Sequence, residues 1–170
     1  MDVMFDQAEN EWAPMIGKFI VDFVMIDDAM FDLINKNQHR LTDKELKDLE
    51  KFKSRVKLFK KVLKTYLEPS SAKQLDEVMT NISDLYEIRN LLAHNSLTFA
   101  YEQLPNKKMT VIGFQVNGRK SDLSINIANL KKKSQELVAQ RVRFAELIGV
   151  YYQAEFKLIS QATSTQKLLD

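Results

Sequence analysis

The sequence has no cysteine, which excludes disulfides and thiolate-bound metal centres. That absence fits a reducing compartment, and a cytoplasmic location is expected. Glycine and proline are scarce, four and three among 170 residues, too few for a turn-rich β fold and in keeping with long helices. No uninterrupted apolar run reaches the length of a membrane span. Met15–Ile34 comes nearest, and Lys18, Asp22, Asp27, Asp28 and Asp32 break it. The first residues, Met1 to Asp6, carry no basic region, so no secretion signal is expected. A strong charge of one sign is also missing: the net charge is +2, too small by itself to imply a nucleic-acid partner. There is no Gly-rich phosphate loop, no Gly-x-Ser-x-Gly elbow and no paired-histidine metal spacing. No metal and no cofactor is expected. Neither an internal repeat nor a low-complexity segment is present.

What is present is apolar periodicity at helical spacing. A chain of 170 residues is most simply one domain, 1–170, with a single substantial core. A first helix is predicted from about Phe5 to Lys36, with Pro14 in its first turn or at an N-terminal kink. Ile16, Phe19, Ile20, Phe23, Ile26, Met30, Leu33 and Ile34 line one face, and Asp22, Asp27, Asp28 and Asp32 mark the solvent side. Thr42-Asp-Lys-Glu45 is a capping-box pattern that opens a second helix, with Leu46, Leu49, Phe52, Val56, Phe59, Leu63 and Tyr66 as its core stripe. Lys51, Lys53, Arg55, Lys57, Lys60, Lys61 and Lys64 cover the rest, and no acid interrupts them between Glu50 and Glu68. They form either a solvated face or a surface that tracks phosphates. Ser71-Ala-Lys-Gln74 resembles another capping box and starts a third helix, about Ser71 to His94. Its band of Met79, Ser83, Tyr86 and Asn90 faces either a partner subunit or the first or last helix.

The period then changes. Thr98–Ile125 reads as a small antiparallel β insert, with strands near Thr98 and over Met109–Val116, turns at Pro105-Asn-Lys-Lys108 and Asn117-Gly118, and a short third strand before Ile125. Asn126 is the expected cap of a long last helix, about Ile127–Ile159. Ile127, Leu130, Leu137, Ala145, Ile148, Tyr152 and Ile159 should face inward, and Gly149 permits a close helix contact. Residues 160–170 read as a flexible tail. The predicted fold class is all-α: a four-to-five-helix up-down bundle with a β-hairpin insert between the third and fourth long helices.

Groups suited to chemistry gather in one stretch, Tyr86-Glu-Ile-Arg-Asn-Leu-Leu-Ala-His-Asn95. The chain has two histidines, and His94 ends this stretch. Leu75, Val78, Ile82, Leu85 and Leu92 set the apolar stripe of the third helix, and Arg89 falls inside it. A guanidinium buried there without a partner costs several kcal/mol, so it needs a carboxylate, a cleft or an anionic ligand. On an ideal helix His94 projects about 140° away from Arg89, while Asn90 shares the His94 side. Arg89 and the imidazole meet only if the side chain reaches round, if the helix end unwinds, or if a second chain brings its own copy. Imidazole titrates near neutrality and can move a proton. Guanidinium offers a planar fork to phosphate oxygens. Asn90 can donate to phosphate or hold the imidazole in one tautomer. The structural alternative is that His94 and Asn95 cap free helical carbonyls while Arg89 pairs with an acid on another helix.

Arg89-Asn-Leu-Leu-Ala-His94 resembles the R-x4-6-H motif of the HEPN superfamily, in which the residue after Arg is typically Asn, Asp or His. The resemblance implies an all-helical, dimeric protein, and a metal-independent endoribonuclease of toxin or phage-defence type. It casts His94 as general acid or base, Arg89 as the phosphate grip and Asn90 as their companion. Lys53, Lys57, Lys60, Lys61 and Lys64 would then hold the RNA backbone, and the partners would be RNA, a second copy and an antitoxin protein. The alternatives are a non-catalytic helical module for dimerisation, RNA binding or regulation, and a nucleotide-sensing domain.

Overall fold

Five α-helices, a π-helical turn, a 3-10 turn at Gln38–Arg40 and a three-stranded antiparallel sheet are found in the computed structural model, which describes residues 8–103, 105, 109–118 and 123–166. The helices are α1 (Ala13–Lys36), α2 (Asp43–Lys47), α3 (Phe52–Leu63), α4 (Pro69–His94) and α5 (Ile127–Gln166), and the strands are β1 (Leu97–Gln103), β2 (Met109–Asn117) and β3 (Ser124–Asn126). This is the expected helical fold with a small β insert. Contacts sort the chain into two units, residues 1–25 with 82–139 and residues 26–81 with 140–170. Among the described residues no helix is long and apolar enough to cross a membrane.

In the first unit, a π-helical turn at Ala8–Trp12 leads into α1. Pro14 explains the widened turn: it has no N–H to return to the preceding turn, so the ladder ahead of it takes a longer register. Trp12, Phe19 and Phe23 are buried, as are Ile82, Leu85, Ile88, Leu91 and Leu92 of α4. Phe23 meets Tyr86 with ring centroids 5.9 Å apart. Tyr86 therefore packs against the first helix inside this unit, one of the two alternatives for its band, and Met79 of the same band is buried in the second unit. Asp22, expected on the solvent side, is buried and ion-paired with Lys18 one turn earlier. Solvent instead meets Val21, Val24 and Met25.

The sheet follows the predicted order, β1-β2-β3. β1 and β2 pair with a bulge, since Ala100 opposes Gly113 and Tyr101 opposes Val111. Gly113 has φ 150°, a backbone setting that side chains resist and glycine accepts, and it stands next to the extra residue. Beyond Gly118, whose N–H donates to Leu123 O at 2.8 Å, the turn lies outside the described residues, as does most of the Pro105–Lys108 turn. β3 ends on Asn126, whose Oδ1 accepts from Asn129 N at 2.8 Å. One residue thus closes the sheet and caps α5.

The second unit departs further from the sequence reading. The predicted second helix is two helices. Thr42 and Glu45 do form the reciprocal capping box of α2, but α2 ends after Lys47 and α3 begins at Phe52. Arg55 holds the joint: it donates to Leu49 O at 2.6 Å and Glu50 O at 2.9 Å, and its fork takes both oxygens of Asp27 at 2.7 Å. Asp27 is thus a half-buried partner and not a solvent-side acid. The break also turns the buried face. Phe52, Leu58, Phe59, Val62 and Leu63 go inside, while Val56 and Tyr66 are half-buried.

The Ser71-x-x-Gln74 pattern does not cap α4, because the helix already begins at Pro69, a residue suited to a first turn. α5 runs to Gln166, past the predicted end at Ile159; of the predicted tail, 167–170 lie outside the described residues. Its buried positions in this unit are Phe144, Leu147 and Tyr151, so Ala145 and Tyr152 face outward instead. Gly149 makes no close contact: a Cβ there would meet nothing within 4 Å.

Tyr151 is fully buried because its hydroxyl has partners. Asn37 Nδ2 donates to it at 2.9 Å and to Leu33 O at 2.9 Å. Tyr151→Phe leaves one buried amide hydrogen of Asn37 unpaired, and chemical denaturation should show a loss of about 1–3 kcal/mol. At the surface, the Lys61 ammonium, with the Thr42 N–H, holds the Glu45 carboxyl down to about 2. Because the folded value lies below the ordinary carboxylate range, the ionised form adds stability above that range, and the gain is lost as pH falls towards about 2. Melting temperatures of Glu45→Gln should therefore decline less steeply than those of the parent between about pH 5 and pH 2.

Candidate active site on α4

The ladder of α4 fixes where its chemical groups stand. The buried stripe runs through Leu75, Val78, Ile82 and Leu85, then drifts to Ile88 and Leu91 beside Leu92, as a 3.6-residue repeat must when spacings of three accumulate. Arg89 therefore lies on the flank of the stripe and not in its centre, and it is half-buried. Among the described residues no carboxylate pairs with it. Its guanidinium donates to Asn90 Oδ1 at 3.2 Å, so a neutral amide is its companion.

That bond decides what Asn90 does. Its oxygen is turned to Arg89, and its amide N–H groups are left as donors beside the guanidinium. Among the described residues nothing hydrogen-bonds the imidazole of His94, which is exposed at the last position of the helix. The capping role falls to Asn95, whose Nδ2 donates to Leu91 O at 2.9 Å. The predicted trio is thus divided. Arg89 and Asn90 are bonded to each other, and among the described residues His94 bonds to neither, although Asn90 stands one turn before it on the same side.

The lysine strip of α3, in the second unit, is less open than its sequence. Asp76 of α4 lies 2.6 Å from Lys60 and 2.6 Å from Lys64, and Glu45 lies 2.8 Å from Lys61. These two lysines hold Asp76 below the ordinary carboxylate range. Lys53 and Lys57 are exposed and have no ion pair among the described residues. Three of the five proposed backbone contacts are therefore already ion-paired, Lys60 and Lys64 sharing one carboxylate, with acids that lie 12 to 16 residues away in sequence. Among the described residues no group of three or more histidine or acidic side chains gathers as a metal site. Two surface hollows of about 90 Å³, one lined by Glu45, Asp48, Ser54, Lys57 and Leu58, the other by residues of α4 and α5, are far below the size of a small-molecule cavity.

Compared with protein-family models, curated proteins and solved structures, the chain matches none.

A cation on the flank of an apolar stripe, bonded among the described residues to an amide, contributes little to the fold. Arg89→Leu should keep unfolding free energy within about 0.5 kcal/mol of the parent or raise it. A loss above about 2 kcal/mol in urea titrations would instead make Arg89 a structural residue.

Proposed function

We propose that the chain is an endoribonuclease of the HEPN type, of the toxin or phage-defence class, working as a dimer in the cytoplasm. The observation that carries this reading is the half-buried Arg89, whose partner among the described residues is an amide and not a carboxylate. A guanidinium kept next to apolar neighbours without an acid is available to a phosphate.

The reaction needs few groups because RNA brings its own nucleophile. The 2′-oxygen attacks the adjacent phosphorus as its proton passes to a base. The bond to the 5′-oxygen breaks, and that oxygen takes a proton from an acid. Products are a 2′,3′-cyclic phosphate and a 5′-hydroxyl. His94 is exposed and unengaged among the described residues, and an imidazole can serve in either transfer. Arg89, with the amide N–H groups of Asn90, stabilises the charge that grows on the phosphate oxygens. Two copies in a two-fold pair supply both base and acid. A metal ion has no part in this scheme, and an antitoxin would act by covering α4.

A second reading is a non-catalytic module for dimerisation, RNA binding or regulation. The lack, among the described residues, of any bond from His94 to Arg89 or Asn90 favours it, as do the ion-paired lysines of α3.

Cleavage of total RNA by the purified chain in excess EDTA separates the two. His94→Ala and Arg89→Ala should each lower the rate by about 10²-fold or more, and bacterial growth arrest on expression should disappear with both. Cleavage by His94→Ala at the parental rate removes the assignment. RNA bound and left intact by the parent supports the second reading.

A further inference from the structure

The chain's other histidine marks a second gathering of cations, in the second unit, at the C-terminal end of α1. Here guanidinium and imidazole do touch: Arg40 Nε donates to His39 Nε2 at 3.3 Å. Arg40 also donates to Thr65 Oγ1 at 3.4 Å, and its guanidinium carbon lies 5.0 Å from the centre of the Tyr66 ring. Lys36 repeats the arrangement, with Nζ 4.9 Å from the centre of the Tyr152 ring and 3.1 Å from its hydroxyl.

Two features set this cluster apart from the α3 lysines. First, its cations are not neutralised. Among the described residues Lys36, His39 and Arg40 have no ion pair, whereas Lys60, Lys61 and Lys64 each have one. Glu155 is the carboxylate that acts on Lys36, and it does so less than Tyr152. Second, the rings are fixed from beneath. Buried Tyr151 meets Tyr66 edge-on at 4.8 Å and Tyr152 at 5.1 Å, and Asn37 holds Tyr151 by its hydroxyl. Tyr66 OH reaches Asn37 Oδ1 at 3.4 Å. The aromatic faces are preorganised and the cations ride on them at the surface.

Open cations alone would suit any polyanion. Cations interleaved with fixed aromatic rings suit a polyanion that carries planar groups, and a ring reaches a base only where the base is unstacked from a duplex. We propose that Lys36, Arg40, Tyr66 and Tyr152 form a docking surface for single-stranded RNA, with phosphates on the two cations and a base on Tyr152. The choice of RNA rests on the ribonuclease reading, but the surface uses neither Arg89 nor His94.

The test is fluorescence anisotropy of a labelled, unstructured RNA of about 12 nucleotides with the full-length His94→Ala chain, which leaves RNA uncut, across roughly 50–200 mM salt. Lys36→Gln with Arg40→Gln should weaken binding at least about tenfold and reduce the salt slope by about 1.4, the value for two single-strand phosphate contacts. Tyr152→Leu should weaken it about tenfold with the slope kept, and Tyr152→Phe should match the parent. Because all three side chains are exposed, the variants should melt with the parent. The proposal is overturned by an unchanged affinity and slope in the double variant, by parental affinity in Tyr152→Leu, or by no RNA binding at all. Cleavage by the wild-type chain with binding indifferent to Lys36 and Arg40 removes this surface and leaves the nuclease. Binding through Lys36 and Arg40 with no cleavage removes the nuclease and leaves the surface.

Discussion

A single buried amide governs the second unit. Asn37 follows the last residue of α1, and its side chain donates to a carbonyl of that helix and to a tyrosine hydroxyl from α5. An uncharged amide can do this because it carries donors and an acceptor together, and here both donors and the acceptor are engaged. Without it, Tyr151 would bury a hydroxyl at a cost of about 1–3 kcal/mol. With it, a polar ring sits in a core otherwise made of aliphatic and phenyl groups, and two further tyrosines lean on that ring. The positions of Arg40 and Lys36 follow from theirs.

How far such features can be read from sequence depends on the range of the interaction that creates them. The caps at Thr42 and Asn126 were legible because both partners lie three residues away. The Ser71 pattern misled for a local reason: Pro69 starts the helix first. The division of the second helix was illegible. It depends on Arg55 reaching Asp27 across 28 residues while taking the carbonyls of the joint. Lysine periodicity over Lys53–Lys64 looked like an open strip for the same reason, since its acids, Glu45 and Asp76, flank it in sequence and return in space. On α5, Phe144 and Tyr151 were missed in favour of Ala145 and Tyr152, a shift of one residue, or about 100° on the helix. Polarity could not warn of it, since the partner that lets Tyr151 go inside lies 114 residues away.

The α4 stretch shows the same limit. Its residues and spacing could be read directly, and so could the divergence of Arg89 from His94. What could not be read was which of them Asn90 serves. An amide adjacent to Arg89 and four residues before His94 fits either, and the choice lies in a side-chain torsion. The structure turns Oδ1 to the guanidinium. This matters chemically. An amide whose oxygen is held by a cation presents its nitrogen outward, so that it and the guanidinium are donors of one kind to one ligand. Had the oxygen faced the imidazole, it would have set a tautomer instead.

On the proposed reading, the geometry of a single α4 also accounts for dimerisation. Two groups about 140° apart on a helix do not converge on one phosphate, and cleavage needs a proton removed and a proton delivered. A second α4 related by a two-fold axis can bring its own imidazole and guanidinium to the same cleft, so that one phosphate meets the cations and two proton carriers, a base and an acid. A monomer would then bind RNA without cutting it. A mixed dimer of the parent and the His94→Ala chain keeps one imidazole where the scheme uses two, so adding excess His94→Ala chain should suppress cleavage by the parent.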